Sequence, residues 1–260
     1  MNIIGIQLDS VWENKPASHE RARALIEKAA PPPGALVVLP EMFATGFSMN
    51  VDAVDDGATG ETQTFLAGLA AELGVYLLGG VVTRDAASGR GRNEAVVYDP
   101  TGREHARYHK MQPFTLGGES AAYEAGKSLS LFAWNGFTVA PFICYDLRFP
   151  EHFRLAARQG AELIVVIASW PVAREDHWMT LLKARAIENQ AYVLGVNRCG
   201  HDPKLYHSGR SRLLDFGGRL LAEAGEGESI LSATLSRDDL FAYRESLPFL
   251  SDMRELTVSR

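Results

Sequence analysis

The fold is decided by residues 137–151, which read FTVAPFICYDLRFPE. An apolar run from Phe137 to Ile143 is followed by a short polar segment, a proline and an amphipathic stretch. This order predicts a strand, a sharp turn and a helix. Such a turn lifts the side chain of Cys144 out of the sheet and leaves the next backbone N–H groups free to bind a developing negative charge. Cys144 is therefore a candidate nucleophile, although most free cysteines are small buried hydrophobic residues.

Two further segments place ionisable side chains directly after short apolar or strand-like runs. Glu41 follows the run 36–39 and a proline, where a carboxylate has little free solvation and suits a general base and acid. Lys110 follows residues 104–108, which are predicted to form a strand. Taken singly, either side chain could be an ordinary surface residue.

Together with Cys144, these residues suggest acyl-transfer chemistry at the ends of several strands. Cys144 would attack a carbonyl carbon, while Glu41 takes the thiol proton and later passes a proton to the leaving amine. Lys110 would lower the pKa of the thiol and, with the Tyr145 N–H, neutralise the tetrahedral oxyanion.

At these residues the sequence resembles the nitrilase, or carbon–nitrogen hydrolase, superfamily. The signatures occur in order as Leu39-Pro40-Glu41, His109-Lys110 and the segment 143–151, and the resemblance covers essentially the whole chain. It implies an αββα four-layer sandwich, an α/β fold in which two mixed sheets lie face to face with helices outside. It also implies a Glu-Lys-Cys triad that works through a thioester intermediate.

The same superfamily uses a second glutamate between the lysine and the cysteine, upstream of a glycine. Glu119 matches this position better than Glu124, which lies too close to Gly126. By this resemblance Glu119 would orient Lys110 and the attacking water.

Several segments resemble the ω-amidase branch, which hydrolyses the terminal amide of 2-oxo dicarboxylic acid monoamides such as 2-oxoglutaramate and 2-oxosuccinamate. They are residues 40–49, 169–171, 177–178 and 184–193. Tyr145 after the cysteine favours an amidase over a nitrilase, which usually carries tryptophan there. The alternatives are a deaminated-glutathione amidase, an N-carbamoyl amino acid hydrolase, a nitrilase or a non-catalytic small-ligand binder. A binder would gain little from retaining a reactive thiol beside a base.

The carboxylate of such a substrate requires a cation, and arginine is the side chain best suited to it. Arg148 and Arg174 are the candidates, although Arg148 could instead pair with Asp146 or Glu151. Aromatic residues next to the catalytic positions could form the walls of a narrow pocket. They are Phe43, Tyr145 and Trp170.

A cysteine–histidine pair with His177 as the base is the main mechanistic alternative, but it would leave Glu41 and Lys110 unexplained. Metal binding is not expected, because no cysteine or carboxylate cluster completes a tetrahedral set around the spaced histidines. The histidine pairs considered for metal binding are His105 with His109 and His201 with His207. No cofactor is expected either.

Composition predicts one globular domain, residues 1–260, with a small-molecule amide as its partner. The net charge of −6 disfavours nucleic acid, and no basic or apolar run suggests a membrane. The first strand starts next to Met1, which leaves no room for a signal peptide. The two cysteines form no disulfide framework and fit a reducing cytoplasm, with Cys199 as a structural thiol.

The sequence pattern also predicts secondary structure and assembly. Resemblance favours a homodimer formed through the helices 149–158 and 175–190, and the apolar tail 247–250 is expected to dock on its own subunit or a partner. The residues expected at the interface are Leu155, Ala156, Ala184 and Ala191.

Strands are predicted at 3–8, 36–39, 75–82, 93–98, 104–108, 129–134, 137–143, 163–168, 192–197, 212–215, 219–222 and 229–235, and further helices at 17–29, 61–73 and 237–245.

Overall fold

The computed structural model describes residues 1–57 and 60–254 of the chain. Its strands are β1 (Asn2–Gln7), β2 (Leu36–Val38), β3 (Tyr76–Arg84), β4 (Gly91–Tyr98), β5 (Glu104–His109), β6 (Phe132–Trp134), β7 (Phe137–Ile143), β8 (Leu163–Ala168), β9 (Tyr192–Asn197), β10 (Cys199–His201), β11 (Tyr206–Ser208), β12 (Arg212–Leu214), β13 (Leu220–Glu223) and β14 (Ser229–Thr234). Its α-helices are α1 (Lys15–Ala29), α2 (Val51–Val54), α3 (Glu61–Leu73), α4 (Glu119–Ala122), α5 (Pro150–Arg158), α6 (Glu175–Asn189) and α7 (Arg237–Ser246).

The strands form two large mixed sheets that follow the same plan. The first sheet has the order β14-β1-β2-β3-β4-β5, and the second has the order β13-β12-β9-β8-β7-β6. Three parallel strands lie in each sheet, β1 to β3 in the first and β7 to β9 in the second, and antiparallel strands flank them. The carboxyl ends of parallel strands share one edge of a sheet, which is where α/β proteins commonly bind ligands.

Apolar side chains from both sheets fill the space between them. Val38 of β2 is fully buried in this core together with Val139 of β7 and Val165 of β8. A second apolar layer, which includes Ile26 of α1 and Leu66 of α3, covers the other face of the first sheet. Helices α5 and α6 cover the second sheet. This arrangement is the αββα sandwich, so the predicted fold class is confirmed.

Most predicted elements are present with ends that differ by a few residues. The strand predicted at 129–134 is shorter and covers only Phe132–Trp134. The short helices α2 and α4 and the β10–β11 hairpin were not predicted, because elements of three or four residues show too little periodicity. Within the described ranges, no helix is both long and apolar enough to cross a membrane.

The residues predicted to form a dimer interface are only partly available at the surface. Ala156 and Ala191 are fully buried within the chain itself, so this part of the prediction is wrong. Leu155 on α5 is 48% exposed, and Ala184 on α6 is half-buried. Ile187, which the sequence analysis did not select, is 41% exposed. An interface on these helices would therefore centre on Leu155 and Ile187.

The apolar tail packs against its own chain. Gln190, just after α6, donates from Nε2 to the carbonyl oxygen of Leu247 at 2.8 Å. Arg158 at the end of α5 donates to the carbonyl oxygen of Arg254 at 2.6 Å. The Leu247 side chain is 46% exposed, so a contact of this tail with a partner stays a prediction.

Candidate active site

Cys144 occupies the sharp turn that the sequence predicts between a strand and a helix. A 3-10 helix, Cys144–Arg148, joins the end of β7 to the start of α5. Cys144 has a φ angle of +47°, in the left-handed region that residues other than glycine rarely adopt. The N–H of Tyr145 lies in the first turn of this helix, where N–H groups have no partner within the helix. It is therefore a donor available beside the thiol.

Asp146, which the sequence analysis did not select, attaches this turn to the first sheet. Its Oδ2 accepts hydrogen bonds from the Ile143 N–H at 2.9 Å and from the Tyr108 hydroxyl on β5 at 2.8 Å. Its Oδ1 accepts one from the Gln112 N–H, in the loop after β5, at 2.9 Å. Burial raises the pKa of Asp146 to about 7, against the effect of these donors. Asp146 therefore sets the position of the turn relative to the end of β5.

Glu41, Lys110 and Glu119 form a buried, hydrogen-bonded cluster next to Cys144. Lys110 donates from Nζ to Glu41 Oε1 at 2.8 Å and to Glu119 Oε2 at 2.8 Å. The three side chains are at most 1% exposed. Burial disfavours the ammonium, but the charges of Glu119 and then Glu41 outweigh it and raise the pKa of Lys110. Lys110 therefore remains an ammonium at neutral pH, and Glu119 lies against it as the resemblance implied.

Two residues that the sequence analysis missed complete this cluster. Asn93 on β4 donates from Nδ2 to Glu41 Oε1 at 2.7 Å and to Glu119 Oε1 at 2.8 Å. The Ser169 N–H, just after β8, donates to Glu41 Oε2 at 2.8 Å. The polar Asn93 in an otherwise buried strand could have been recognised from the sequence as a candidate site residue. The donor of Ser169 is a backbone N–H group, which no residue type in the sequence reveals.

Gly80 on β3 makes room for Glu41. A Cβ at Gly80 would lie 2.3 Å from the backbone nitrogen of Met42 and 2.7 Å from the Cα of Glu41. Only glycine therefore lets the segment after β2 lie directly against β3.

The resting site holds Cys144 as a thiol rather than a thiolate. Burial, and then the charge of Glu41, raises the pKa of Cys144 well above its usual range. Lys110 lowers it, as predicted, but is outweighed. A thiol with a raised pKa becomes a nucleophile when a base removes its proton as it attacks.

A cavity of about 310 Å³ opens onto Cys144. Its size suits a small organic molecule. Aromatic and apolar side chains form most of its wall, and they include Trp12, Phe47, Met49, Phe114, Tyr145 and Trp170. The charged side chains on its wall are three cations, Arg148, Arg174 and Lys204, and one carboxylate, Asp202.

Arg148 and Arg174 face this cavity. The Arg148 guanidinium lies 4.7 Å from the ring centroid of Trp170, and the Arg174 guanidinium lies 5.5 Å from that of Phe114. In the described part of the chain, neither forms an ion pair with a carboxylate. Burial, and then the charge of Arg174, lowers the pKa of Arg148. Two like charges on one cavity favour an anion between them.

Phe43 does not reach the cavity, and its prediction as a pocket wall is wrong. Its side chain is fully buried among apolar residues on the other face of the first sheet, with its ring centroid 5.8 Å from that of His19. Met42, between Glu41 and Phe43, has a φ angle of +44°, so the backbone changes direction sharply just before Phe43. Phe47 lines the cavity instead.

Of the histidines considered in the sequence analysis, His105, His109 and His177 do not line the cavity beside Cys144, whereas His207 does. His177 is exposed, and its Nδ1 lies 3.3 Å from Arg148 Nη1, so it is not placed to act as a base for the thiol. The Nε2 atoms of His105 and His109 lie 2.8 and 2.9 Å from backbone carbonyl oxygens. In residues 1–57 and 60–254, no group of three or more histidine, cysteine or carboxylate side chains could hold a metal ion.

Comparison with known proteins identifies the class to which this fold and site belong. Residues 5–245 match the carbon–nitrogen hydrolase family, and the chain belongs to that family. The resemblance drawn from the three signatures is therefore confirmed.

Three relatives make this relationship more specific. The chain is 41% identical over 221 residues to the omega-amidase YafV of Yersinia enterocolitica, covering 84% of this chain and 83% of that one. It is 34% identical over 251 residues to the 2-oxoglutaramate amidase of Bacillus subtilis, covering 96% of each. The structure of XC1258 from Xanthomonas campestris, a CN-hydrolase superfamily protein with an arsenic adduct in its active site, matches with a TM-score of 0.91 and 33% identity over 100% of this chain and 99% of that one.

Proposed function

We propose that this protein is an ω-amidase-like amidohydrolase. Its substrate would be a small 2-oxo dicarboxylic acid monoamide, such as 2-oxoglutaramate or 2-oxosuccinamate, and its products the acid and ammonia. The observation that carries this proposal is a cavity with a thiol beside a carboxylate–ammonium cluster and two guanidinium groups on its wall. The names of the two relatives described above support the same substrate class.

The proposed reaction passes through a thioester on Cys144. The thiol attacks the amide carbon while Glu41 takes its proton, and the Lys110 ammonium and Tyr145 N–H stabilise the oxyanion. Glu41 then protonates the leaving nitrogen, and ammonia departs. Glu119 orients Lys110 and the water that hydrolyses the thioester.

The burial of Glu41 supports a small leaving group. Its side chain is fully buried and lies outside the lining of the cavity, whereas Cys144 is on that lining. A leaving nitrogen that takes a proton from Glu41 must therefore face the closed side of the site. The acyl part of the substrate would extend into the open cavity, where Arg148 and Arg174 bind its carboxylate between Tyr145 and Trp170.

A substrate panel tests this proposal. It compares 2-oxoglutaramate and 2-oxosuccinamate with deaminated glutathione, N-carbamoyl amino acids and simple nitriles, all by product release. We expect kcat/KM for a 2-oxo monoamide to exceed that for the other classes by at least about tenfold. A higher kcat/KM for any of the other classes would reject the substrate and retain the family.

Arg148→Gln and Arg174→Gln test how the substrate carboxylate is bound. Each change is expected to raise KM for 2-oxoglutaramate by about tenfold or more, because a hydrogen bond to a charged group contributes about 1.5–3 kcal/mol. Butanamide, which lacks the carboxylate, should show less than about a threefold change. Arg212→Gln, at an ion pair with Glu223 on β13, is the matched control. Equal effects on both substrates would exclude a carboxylate-binding role.

We also propose that residues 1–260 form a single domain, that the protein is cytoplasmic and that it is a homodimer. The two free cysteines support a reducing compartment. The exposed Leu155 and Ile187 support pairing through α5 and α6. Sedimentation at micromolar concentration should give twice the chain mass of 28.4 kDa. A mass that stays at the single-chain value on concentration would contradict the dimer.

A further inference from the structure

Asn93 contacts all three charged members of the cluster beside Cys144. Its side chain is 1% exposed, and its backbone carbonyl accepts the Lys110 N–H at 2.9 Å. Its Nδ2 donates to Glu41 Oε1 at 2.7 Å and to Glu119 Oε1 at 2.8 Å. A neutral amide with two protons can bridge two carboxylates in this way, whereas a hydroxyl has one proton and a carboxylate none.

As a result of these contacts, the two carboxylate oxygens of Glu41 differ in the number of hydrogen bonds that they accept. Oε1 accepts from Lys110 and from Asn93, which uses the two acceptor positions of that atom. Oε2 accepts from the Ser169 N–H at 2.8 Å and retains one position. Ser169 and Cys144 both line the cavity, so the Ser169 N–H holds Oε2 on the side of the site where the thiol lies.

We infer that Asn93 is a positioning residue that directs proton exchange with Cys144 to Glu41 Oε2. This inference rests on the proposed function and adds to it a specific proton acceptor. Loss of the amide would leave Oε1 with one donor fewer, so that the carboxylate could rotate and its charged form would lose support. The ionisable groups around Glu41 are Lys110, Glu119, Cys144 and Tyr123.

The proton and electron movements balance at this atom. The thiol proton moves to Oε2 as the sulfur forms a bond to the amide carbon, and the π electrons of the carbonyl move to its oxygen. When the carbonyl re-forms, the carbon–nitrogen bond breaks and the nitrogen takes the proton from Oε2. Ammonia leaves, the acyl group remains on sulfur, and Glu41 is again a carboxylate that can accept a proton from water.

Asn93→Leu tests the inference, since leucine has a similar volume and no donor. We expect kcat for 2-oxoglutaramate to fall by about ten- to a hundredfold with KM within about threefold, because Asn93 does not line the cavity. The acidic limb of the pH profile should move to higher pH by about one unit or more. The sign follows because a carboxylate with fewer donors is protonated at a higher pH.

Alkylation of Cys144 by iodoacetamide gives a second readout that does not depend on the identity of the substrate. In Asn93→Leu, the acidic limb of the alkylation rate plotted against pH should move in the same direction and by a similar amount. If the wild type is alkylated with the expected pH dependence but does not hydrolyse 2-oxoglutaramate, the substrate assignment fails and the inference on Asn93 is still tested.

Asn189→Leu on α6 is the matched control. Asn189 is also fully buried, and its Oδ1, like that of Asn93, has no hydrogen-bond partner among the residues that the structure describes. We expect this change to affect thermal stability and to leave both pH profiles in place. Unmoved pH profiles in Asn93→Leu, or a change in KM alone, would overturn the inference.

Asn93→Asp keeps the test decisive if the leucine variant does not fold. It preserves the size of the side chain but replaces the bridging donor with a third carboxylate facing Glu41 and Glu119. A hundredfold or larger loss of kcat and a shift of both acidic limbs to higher pH are expected. An active variant with the wild-type profile would reject the positioning role.

Discussion

Cys144→Ala is expected to lower kcat for amide hydrolysis by at least about 10⁴-fold and to leave the fold intact. Without the sulfur no thioester can form, and neither Glu41 nor Lys110 can supply another nucleophile. The loss of one small group should cost on the order of 1 kcal/mol of stability. Ammonia release measures the first effect, and thermal unfolding with circular dichroism measures the second.

Cys199→Ala is the matched control for this variant. Cys199 is fully buried on β10, and burial raises its pKa to about 12. It does not line the cavity beside Cys144. Its replacement should leave kcat within about threefold of the wild-type value. If this variant were as inactive as Cys144→Ala, the nucleophile would be wrongly assigned.

Glu41→Gln is expected to lower kcat by at least about 10³-fold, because proton transfer is lost both from the thiol and to the leaving nitrogen. The thiol needs this base, since burial raises the pKa of Cys144 well above its usual range. The amide group of glutamine would also face a donor in either orientation. Lys110 and Asn93 donate on the side of Oε1, and the Ser169 N–H donates on the side of Oε2.

The rate of Cys144 alkylation as a function of pH separates this effect from general destabilisation. In Glu41→Gln the rate at neutral pH should fall strongly together with turnover. Glu162→Gln is the control, because Glu162 is also buried but pairs with Arg237 away from the cavity. Near-normal kcat in Glu41→Gln, or an equal loss in Glu162→Gln, would refute the role of Glu41 as the base.

The strand ends could be read from the sequence because local patterns determine them. The apolar run before Cys144 and the run before Glu41 each predicted a buried strand, and the structure has β7 and β2 there. The position of Glu119 came from the resemblance, and the structure places its carboxylate 2.8 Å from Lys110 Nζ. Each of these residues has an ionisable side chain and lies where a strand or turn ends, which makes it recognisable in the sequence.

Residues whose partners lie on other strands were missed for a physical reason. Asn93 meets Glu41 only when β2, β3 and β4 pair in the first sheet, and Asp146 meets Tyr108 only when β5 and β7 of the two sheets pack together; no spacing along the chain encodes those contacts. Phe43 was wrongly placed in the pocket because adjacency in sequence does not reveal the change of direction at Met42. The net effect on the Cys144 thiol also depends on burial, which has its value only in the folded protein.

The sequence by itself determined the alternation of strands and helices, the elbow at Cys144 and the acid, base and cation that we propose for catalysis. These follow from local apolar patterns and from the chemistry of individual side chains. Only the tertiary structure decided which oxygen of Glu41 remains free, which arginines face the cavity and which alanines are buried. Those properties depend on distances between residues that are far apart in the chain, and the packing of the two sheets sets these distances.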